Sequence, residues 1–293
     1  MKIKIFNPNG SFIRSIGGRG NAPGQFMSIK GMDIFNDKIY ISDTHGLKHS
    51  ILNLQGQLLA TRVINSTYSV YKRFAHVNNT FFALNFDEEK SKNDFIFTVN
   101  PDSLSKQLTC LKFSEIKHSE DEIFSDFIPT FPGELSGEDG FLAYVPQIYF
   151  GQIYLIKMIN NKCETKTIEG YSSLDFPYTK VAEGQKYNYS AGDIKVQIEQ
   201  SSISAFIQKK GKELIHFFTT NKNAEEPLFI ETEIFSLKTN KSIGYGKIDE
   251  LELKNGTKIK NPILIPKAKD KNDLYYVYDR TKSLPAIRVV KLE

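Results

Sequence analysis

Five histidines and a few acidic side chains are the groups in this 293-residue chain whose chemistry could build a site. The histidines are His45, His49, His76, His118 and His216. His45 and His49 have the spacing a helix would offer a metal, but they fall in a loop and at the start of a strand-like run. His76 closes an apolar run that reads as the first strand of a repeat, which would place it near a mouth of the fold. His216 sits mid-strand, where a buried or paired imidazole is the ordinary outcome. Zinc would need three histidines drawn from separate repeats, and no two of these occupy matching repeat positions. Asp33, Asp43, Asp87 and Asp279 are the candidate acids. Calcium would need several carboxylate oxygens at one level, and only Asp33 lies in a first strand. No cofactor is therefore expected, with calcium or zinc as the alternative. The chain has no Gly-x-Ser-x-Gly elbow, P-loop or HExxH. Gly17-Gly18-Arg19-Gly20 lacks the Lys-Ser/Thr and the helix N-terminus that a phosphate loop requires.

The elements that must position these groups are strands. Phe (22) and Tyr (14) are abundant and Trp is absent, a composition that suits half-buried pleated surfaces. Short apolar runs recur between turn signals such as Asn9-Gly10, Gln55-Gly56, Lys210-Gly211 and Asn255-Gly256. Two units repeat. Lys4–Ile13 and Leu52–Leu59 each read as strand, Gly turn, strand. Lys38-Ile39-Tyr40-Ile41-Ser42-Asp43 returns as Leu274-Tyr275-Tyr276-Val277-Tyr278-Asp279. An aromatic–apolar strand closing on Asp suits a turn, because the carboxylate can accept backbone N–H groups. Asp43 and Asp279 therefore read as turn caps.

These units combine into a four-strand period. One copy runs Ile29–Ile34, Lys38–Ser42, His49–Leu54, Leu58–Val63; the next runs Ser69–Ala75, Thr80–Asn85, Asp94–Val99, Gln107–Phe113. Further copies cover about 126–170, 203–248 and 263–291. A period of about 45 residues is the size of one four-stranded propeller blade. Residues 171–202 hold two strand-like runs, near Tyr178–Val181 and Ile194–Glu199, and read as a degenerate blade rather than an insertion. The expectation is an all-β chain, a β-propeller of four-stranded antiparallel blades. Six blades are favoured over five plus an insertion, in one domain over 1–293.

The segment Ile5–Leu59 resembles NHL repeats. Gly10-Ser11-Phe12-Ile13-Arg14-Ser15-Ile16-Gly17-Gly18-Arg19-Gly20, followed by Gly24-Gln25-Phe26, is similar to that family's connection between blades, and Ile39–Asp43 to its second strand. Gly17, Gly18, Gly20 and Gly24 would serve the crossing, where positive φ and close chain approach are needed. The nearest relatives this implies are six-bladed propeller proteins of the Bacteroidetes, many exported or lipid-anchored. The chain begins without inner strands ahead of Lys2–Phe6, so the N-terminal strands are expected to complete the C-terminal blade; an upstream start is the alternative. The resemblance also admits enzymes, zinc-dependent lyases and calcium-dependent lactonases with ligands on inner strands or mouth loops.

Charge narrows the partners. Lys and Arg number 38 against 34 Asp and Glu, a net +4, too even for a nucleic-acid binder. No run of about 18 apolar residues could span a membrane, and no signal peptide is legible. The place of action would be the periplasm or cell surface if the native start lies upstream, and otherwise the cytoplasm. Cys110 and Cys163, the only cysteines, read as buried free thiols. Aromatics cluster near loops at Phe131, Tyr149, Phe150, Tyr171, Phe176, Tyr178, Tyr187 and Tyr189, and Ser172–Gly192 reads as the best candidate for a functional loop. The function expected is a monomeric, non-enzymatic binding or scaffolding propeller. Its protein, peptide or glycan ligand would sit at one mouth, with Phe176, Tyr178, Tyr187, Tyr189, His76 and Asp33 as candidate contacts. The alternative is a metal-dependent lyase or lactonase-like hydrolase.

Overall fold

The structure is a computed structural model. It describes all residues except 8, 65–70, 72, 86–93, 117–133, 139, 147–150, 171–177, 181–188, 192–193, 199–200, 222–228, 249, 253–255, 257, 261–262, 267–273, 280–285 and 292–293. Among the described residues the secondary structure is strand apart from one 3-10 turn at Phe113–Glu115. The chain divides into two compact units. The first comprises Met1–Ile116, Gly137–Leu142 and Leu155–Lys166; the second comprises Lys117–Ser136, Ala143–Tyr154 and Thr167–Glu293.

The first unit opens with a hairpin of β1 (Ile3–Phe6) and β2 (Phe12–Ile16), which form a sheet of their own. Two four-stranded sheets follow. One has β3 (Ile29–Phe35), β4 (Lys38–Asp43), β5 (Lys48–Asn53) and β6 (Leu58–Val63) in chain order, every pair antiparallel. The other has β7 (Arg73–Val77), β8 (Thr80–Leu84), β9 (Ile96–Val99) and β10 (Lys106–Leu111) in the same arrangement. These are the first two blades of the sequence period. The second blade's first strand starts at Arg73 rather than Ser69, and 65–70 lie outside the described residues.

Alternation explains how each strand sits. In β3, Gly31 and Phe35 are buried while Lys30, Met32 and Ile34 are exposed, the two-residue period of a pleated strand. Asn36 and Asp37 join β3 to β4 at φ of 48° and 56°. Two consecutive left-handed residues define the hairpin turn whose twist matches the strands, and Asn and Asp tolerate that conformation. Phe35, Tyr40, Ile51, Tyr71, Phe74, Phe81, Ala83, Phe97, Val99 and Leu104 form one buried cluster shared by the two sheets. Within it Phe35 stacks on Phe81 at 5.4 Å and Phe81 on Phe74 at 5.4 Å. A second cluster, Ile16, Phe26, Ile39, Ile41 and Leu52, lies under the β1–β2 hairpin, which packs Ile3 and Ile5 against it.

Cys110 and Cys163 are joined as a disulfide, with Cα atoms 5.0 Å apart. The reading of two free thiols is thus corrected. The bond ties β10 to β14 (Lys162–Glu169), strands 53 residues apart in sequence, and the Thr165 hydroxyl donates to the Cys110 carbonyl beside it at 2.6 Å. A link made by tertiary approach leaves no trace in local sequence pattern.

The remaining sheets continue the period. β11 (Glu134–Glu138), β12 (Phe141–Val145), β13 (Gln152–Ile159) and β14 are neighbours in chain order. β18 (Ser201–Lys210), β19 (Glu213–Asn221), β20 (Phe229–Ser236) and β21 (Lys241–Ile248) form an antiparallel set, and a parallel bridge of Glu169 to Lys241 joins β14 to β21. Among the described residues of 171–202, three strands rather than two form one sheet: β15 (Tyr178–Lys180) and β16 (Tyr189–Ala191) both pair with β17 (Ile194–Ile198). Tyr178 lies on a strand as expected and Tyr189 on one that was not expected; Tyr189-Ser190-Ala191 is too short and too polar to show alternation on its own. A short hairpin of β22 (Glu250–Glu252) and β23 (Lys258–Lys260) leads to a last sheet of β24 (Ile263–Pro266), β25 (Leu274–Asp279) and β26 (Ala286–Lys291).

Candidate functional site

β3 and β7 are the first strands of successive sheets, and they lie beside each other. Asp33 is two residues from the end of β3 and His76 one residue from the end of β7. The imidazole Nδ1 of His76 stands 2.9 Å from Asp33 Oδ2, with the two side chains 29% and 20% exposed. Asp33 Oδ1 accepts the Ile34 backbone N–H at 2.8 Å. Behind the pair, the His76 ring rests on Phe35 at 5.2 Å between centroids. One carboxylate oxygen thus fixes the imidazole, the other is fixed by the backbone, and an aromatic ring holds the plane. When Nδ1 carries the proton to Asp33, Nε2 is left as an oriented acceptor.

Sequence reasoning missed three residues around the β3–β4 turn, Tyr40, Lys38 and Asp102. Tyr40 stands directly across from Asp33 in the β3–β4 register. It is fully buried, and its hydroxyl has no hydrogen-bond partner among the described residues. Burial pushes its phenol above the ordinary range; the Lys38 ammonium opposes this, and the Asp102 and Asp33 carboxylates add to it. Lys38 reaches Asp102 at 2.8 Å, and that contact raises the lysine. The only signal for Tyr40 was its place between Ile39 and Ile41, which marks a strand aromatic and nothing more.

The other named residues serve the backbone. Asp43 is buried and accepts three N–H groups, from Ser28 at 2.7 Å, Met27 at 2.8 Å and Gly46 at 3.0 Å. Beside it in the β4–β5 register, Lys48 is buried and donates to the carbonyls of Asn21 (3.0 Å) and Ala22 (3.4 Å). Together the two side chains clamp both stretches of the connection that runs from β2 into β3. Within that connection Gly17 has φ +78°, and a Cβ there would lie 2.7 Å from the Phe26 ring. The Gly18 carbonyl accepts the Phe26 N–H at 2.8 Å, and Gly20 and Gly24 have φ of 149° and 75°.

His49 is buried against Tyr71, ring to ring at 4.3 Å, and its Nε2 accepts the Tyr71 N–H at 3.0 Å. Burial first, and the Arg62 charge second, push the imidazole down to about 3. His216 is buried in β19 opposite Glu233, and burial likewise pushes it down to about 3. His45 is exposed. Phe131, Tyr149, Phe150, Tyr171, Phe176, Tyr187, His118 and Asp87 lie outside the described residues, and Asp279 is placed only as the last residue of β25. The fold thus brings together Asp33 and His76 of the expected contacts. Among the described residues no three of His, Cys, Asp and Glu gather as a metal ion would require. Among them, too, no helix is long and apolar enough to cross a membrane.

The repeated four-stranded antiparallel sheets define the class as a β-propeller. Residues 1–131 match the DUF5128 family, described as a 6-bladed beta-propeller. No curated protein matches the chain in sequence. Among solved structures, the chain is similar to a member of the DUF4221 family from Bacteroides vulgatus, with a TM-score of 0.56 at 9% identity over 99% of this chain and 86% of that one. It is also similar to a candidate exported protein from Bacteroides fragilis, with a TM-score of 0.53 at 11% identity over 94% and 73% of the two chains. At such identities the likeness speaks for the fold, which hosts many unrelated functions.

Proposed function

We propose that this chain is a non-enzymatic binding or scaffolding β-propeller whose ligand sits where the β3–β4 and β7–β8 hairpins turn. The observation that carries this reading is the Asp33–His76 pair, a part-exposed carboxylate and imidazole held in fixed orientation on the first strands of two neighbouring sheets. Preorganised polar groups at the end of rigid strands lower the ordering cost of binding. The resemblance of Ile5–Leu59 to NHL repeats agrees with it. The Cys110–Cys163 disulfide favours an oxidising compartment, the periplasm or cell surface, as the place of action.

A carboxylate-oriented imidazole also suits a second reading, an enzyme of the lyase or hydrolase kind. There Asp33 would hold His76 so that Nε2 faces a reacting group or a metal. The described residues do not make up a zinc or calcium ligand set, so no step is routed through a metal. Elemental analysis of the purified protein, paired with a binding screen on the parent and on the Asp33→Ala/His76→Ala double variant, separates the two. Metal-free protein that loses ligand binding in the double variant supports the binding reading. Stoichiometric zinc or calcium, or binding that survives the double variant, overturns it.

A further inference from the structure

We infer that the Asp33–His76 end of the inner strands takes a protonated primary amine, such as a lysine side chain or a free alkylamine. This rests on the reading of that end as the ligand site and adds its chemistry. Charge is polarised along β3 and β7. Lys30 and Arg73 stand exposed at the starts of the two strands, and the Arg73 guanidinium donates to the Lys30 carbonyl. At the other end lie Asp33, Asp37 in the β3–β4 turn, and Asp102, with Lys38 as the neighbouring ammonium. Three carboxylates and one ammonium thus stand at that end. An anionic ligand would meet like charge at this end, and a cation would meet complementary charge.

Hydrogen-bonding capacity points the same way. An alkylammonium carries three N–H donors and no acceptor. Its counterpart here is three acceptors from neighbouring strands. Asp33 offers lone pairs beyond those used by Ile34 and His76. His76 offers Nε2, which no described residue engages. Tyr40, across from Asp33 in register, offers a buried hydroxyl that meets no partner among the described residues. That orphaned hydroxyl is independent of the carboxylates. A fold seldom leaves a buried polar group without a partner unless something else supplies one.

The test follows the His76 ring by NMR, with its Cε1–H signal assigned through His76→Gln, while three probes are titrated: n-butylamine as the ammonium, glucuronate as an anion, and methyl glucoside as a neutral polyol. The amine is expected to shift the His76 signal saturably. Asp33→Asn should weaken it about tenfold, the loss of one charged hydrogen bond. Tyr40→Phe, which keeps the ring in its cluster, should weaken it roughly threefold at unchanged melting temperature, the scale of a modest hydrogen bond. Binding of glucuronate or methyl glucoside without the amine overturns the amine assignment and leaves the ligand site standing. Silence of the His76 signal to all three probes overturns both. Amine affinity unchanged in Tyr40→Phe overturns the site as drawn.

Discussion

The imidazole Nδ1 of His76 and the carboxylate Oδ2 of Asp33 meet at 2.9 Å across two sheets that also share one buried aromatic cluster. The Phe35–Phe81–Phe74 stack and its neighbours form the apolar core between the β3–β6 and β7–β10 sheets, and apolar packing sets no unique polar register. The Asp33–His76 contact sits beside that stack, where partial exposure limits both its desolvation cost and its strength.

The pair should therefore couple weakly but measurably. A double-mutant cycle on Asp33→Ala and His76→Ala, read by urea unfolding, is expected to give an interaction energy of about 1 kcal/mol, the range for one hydrogen bond. An interaction energy indistinguishable from zero would mean the two side chains do not hold one another.

Asp43 carries more. Three backbone N–H groups end on one buried carboxylate, and Asp43→Ala strands all three. Hydrogen bonds to charged groups contribute about 1.5–3 kcal/mol each, and not additively, so a loss of about 3–4 kcal/mol is expected. Asp43→Asn keeps one acceptor oxygen and should fall between. Equal stabilities of the two variants would show that the side chain's space, not its oxygens, matters.

Gly17 and Gly24 separate two costs at one crossing. Both have positive φ, but a Cβ at Gly17 meets the Phe26 ring at 2.7 Å while one at Gly24 meets nothing within 4 Å. Gly24→Ala should cost only the left-handed backbone penalty, about 1 kcal/mol. Gly17→Ala should cost that plus about 1–3 kcal/mol for crowding a buried ring. Matching losses in chemical denaturation would count against the close approach.

How much of this was legible in the sequence depends on the range of the contact. The strands of the first two blades could be read within a few residues, because alternation and the Gly and Asn turns are local signals. Asp33 and His76 could each be placed on a first strand for the same reason. Their pairing could not, since it depends on how far one sheet is shifted against the next, which no window of sequence encodes. Tyr40 and Lys48 were hidden differently. One looks like any strand aromatic and the other like any surface lysine, and only the β3–β4 register and the course of the 17–28 connection show where they stand. The Cys110–Cys163 bond likewise arises from approach of segments distant in sequence, whereas Tyr189–Ala191 pairs locally with β17 and was hidden by its shortness and polarity.

Two buried histidines set an acid limit on stability. His49 and His216 are each pushed down to about 3 by burial, whereas in the unfolded chain they titrate at the ordinary 6.5 of a histidine. Between these values the unfolded state binds more protons than the folded one, so stability is highest above 6.5 and falls as pH drops towards 3. Each residue contributes up to about 1.4 kcal/mol per pH unit within that window. His49→Gln keeps an acceptor within reach of the Tyr71 N–H and removes one titrating group. The slope of unfolding free energy between pH 6 and pH 4 should drop by up to that amount. A slope identical to the parent's would place His49 among groups that are free to protonate in the native state.

The disulfide makes the last prediction, and its size follows from the chain it closes. Cys110 and Cys163 are 53 residues apart, and tying a loop of that length removes denatured-state entropy worth about 4 kcal/mol. Reduction, or the double change Cys110→Ser/Cys163→Ser, should lower the urea midpoint by the equivalent of about 2–4 kcal/mol. Peptide mapping without reductant should recover the two cysteines in one linked fragment. The sheets themselves should persist, because β7–β10 keep their ladders and their share of the Phe35–Phe81–Phe74 core without the bond. Far-ultraviolet circular dichroism unchanged below the new midpoint would show this. Loss of the strand signal at all denaturant concentrations would instead make the bond a condition of folding rather than a staple on a finished sheet.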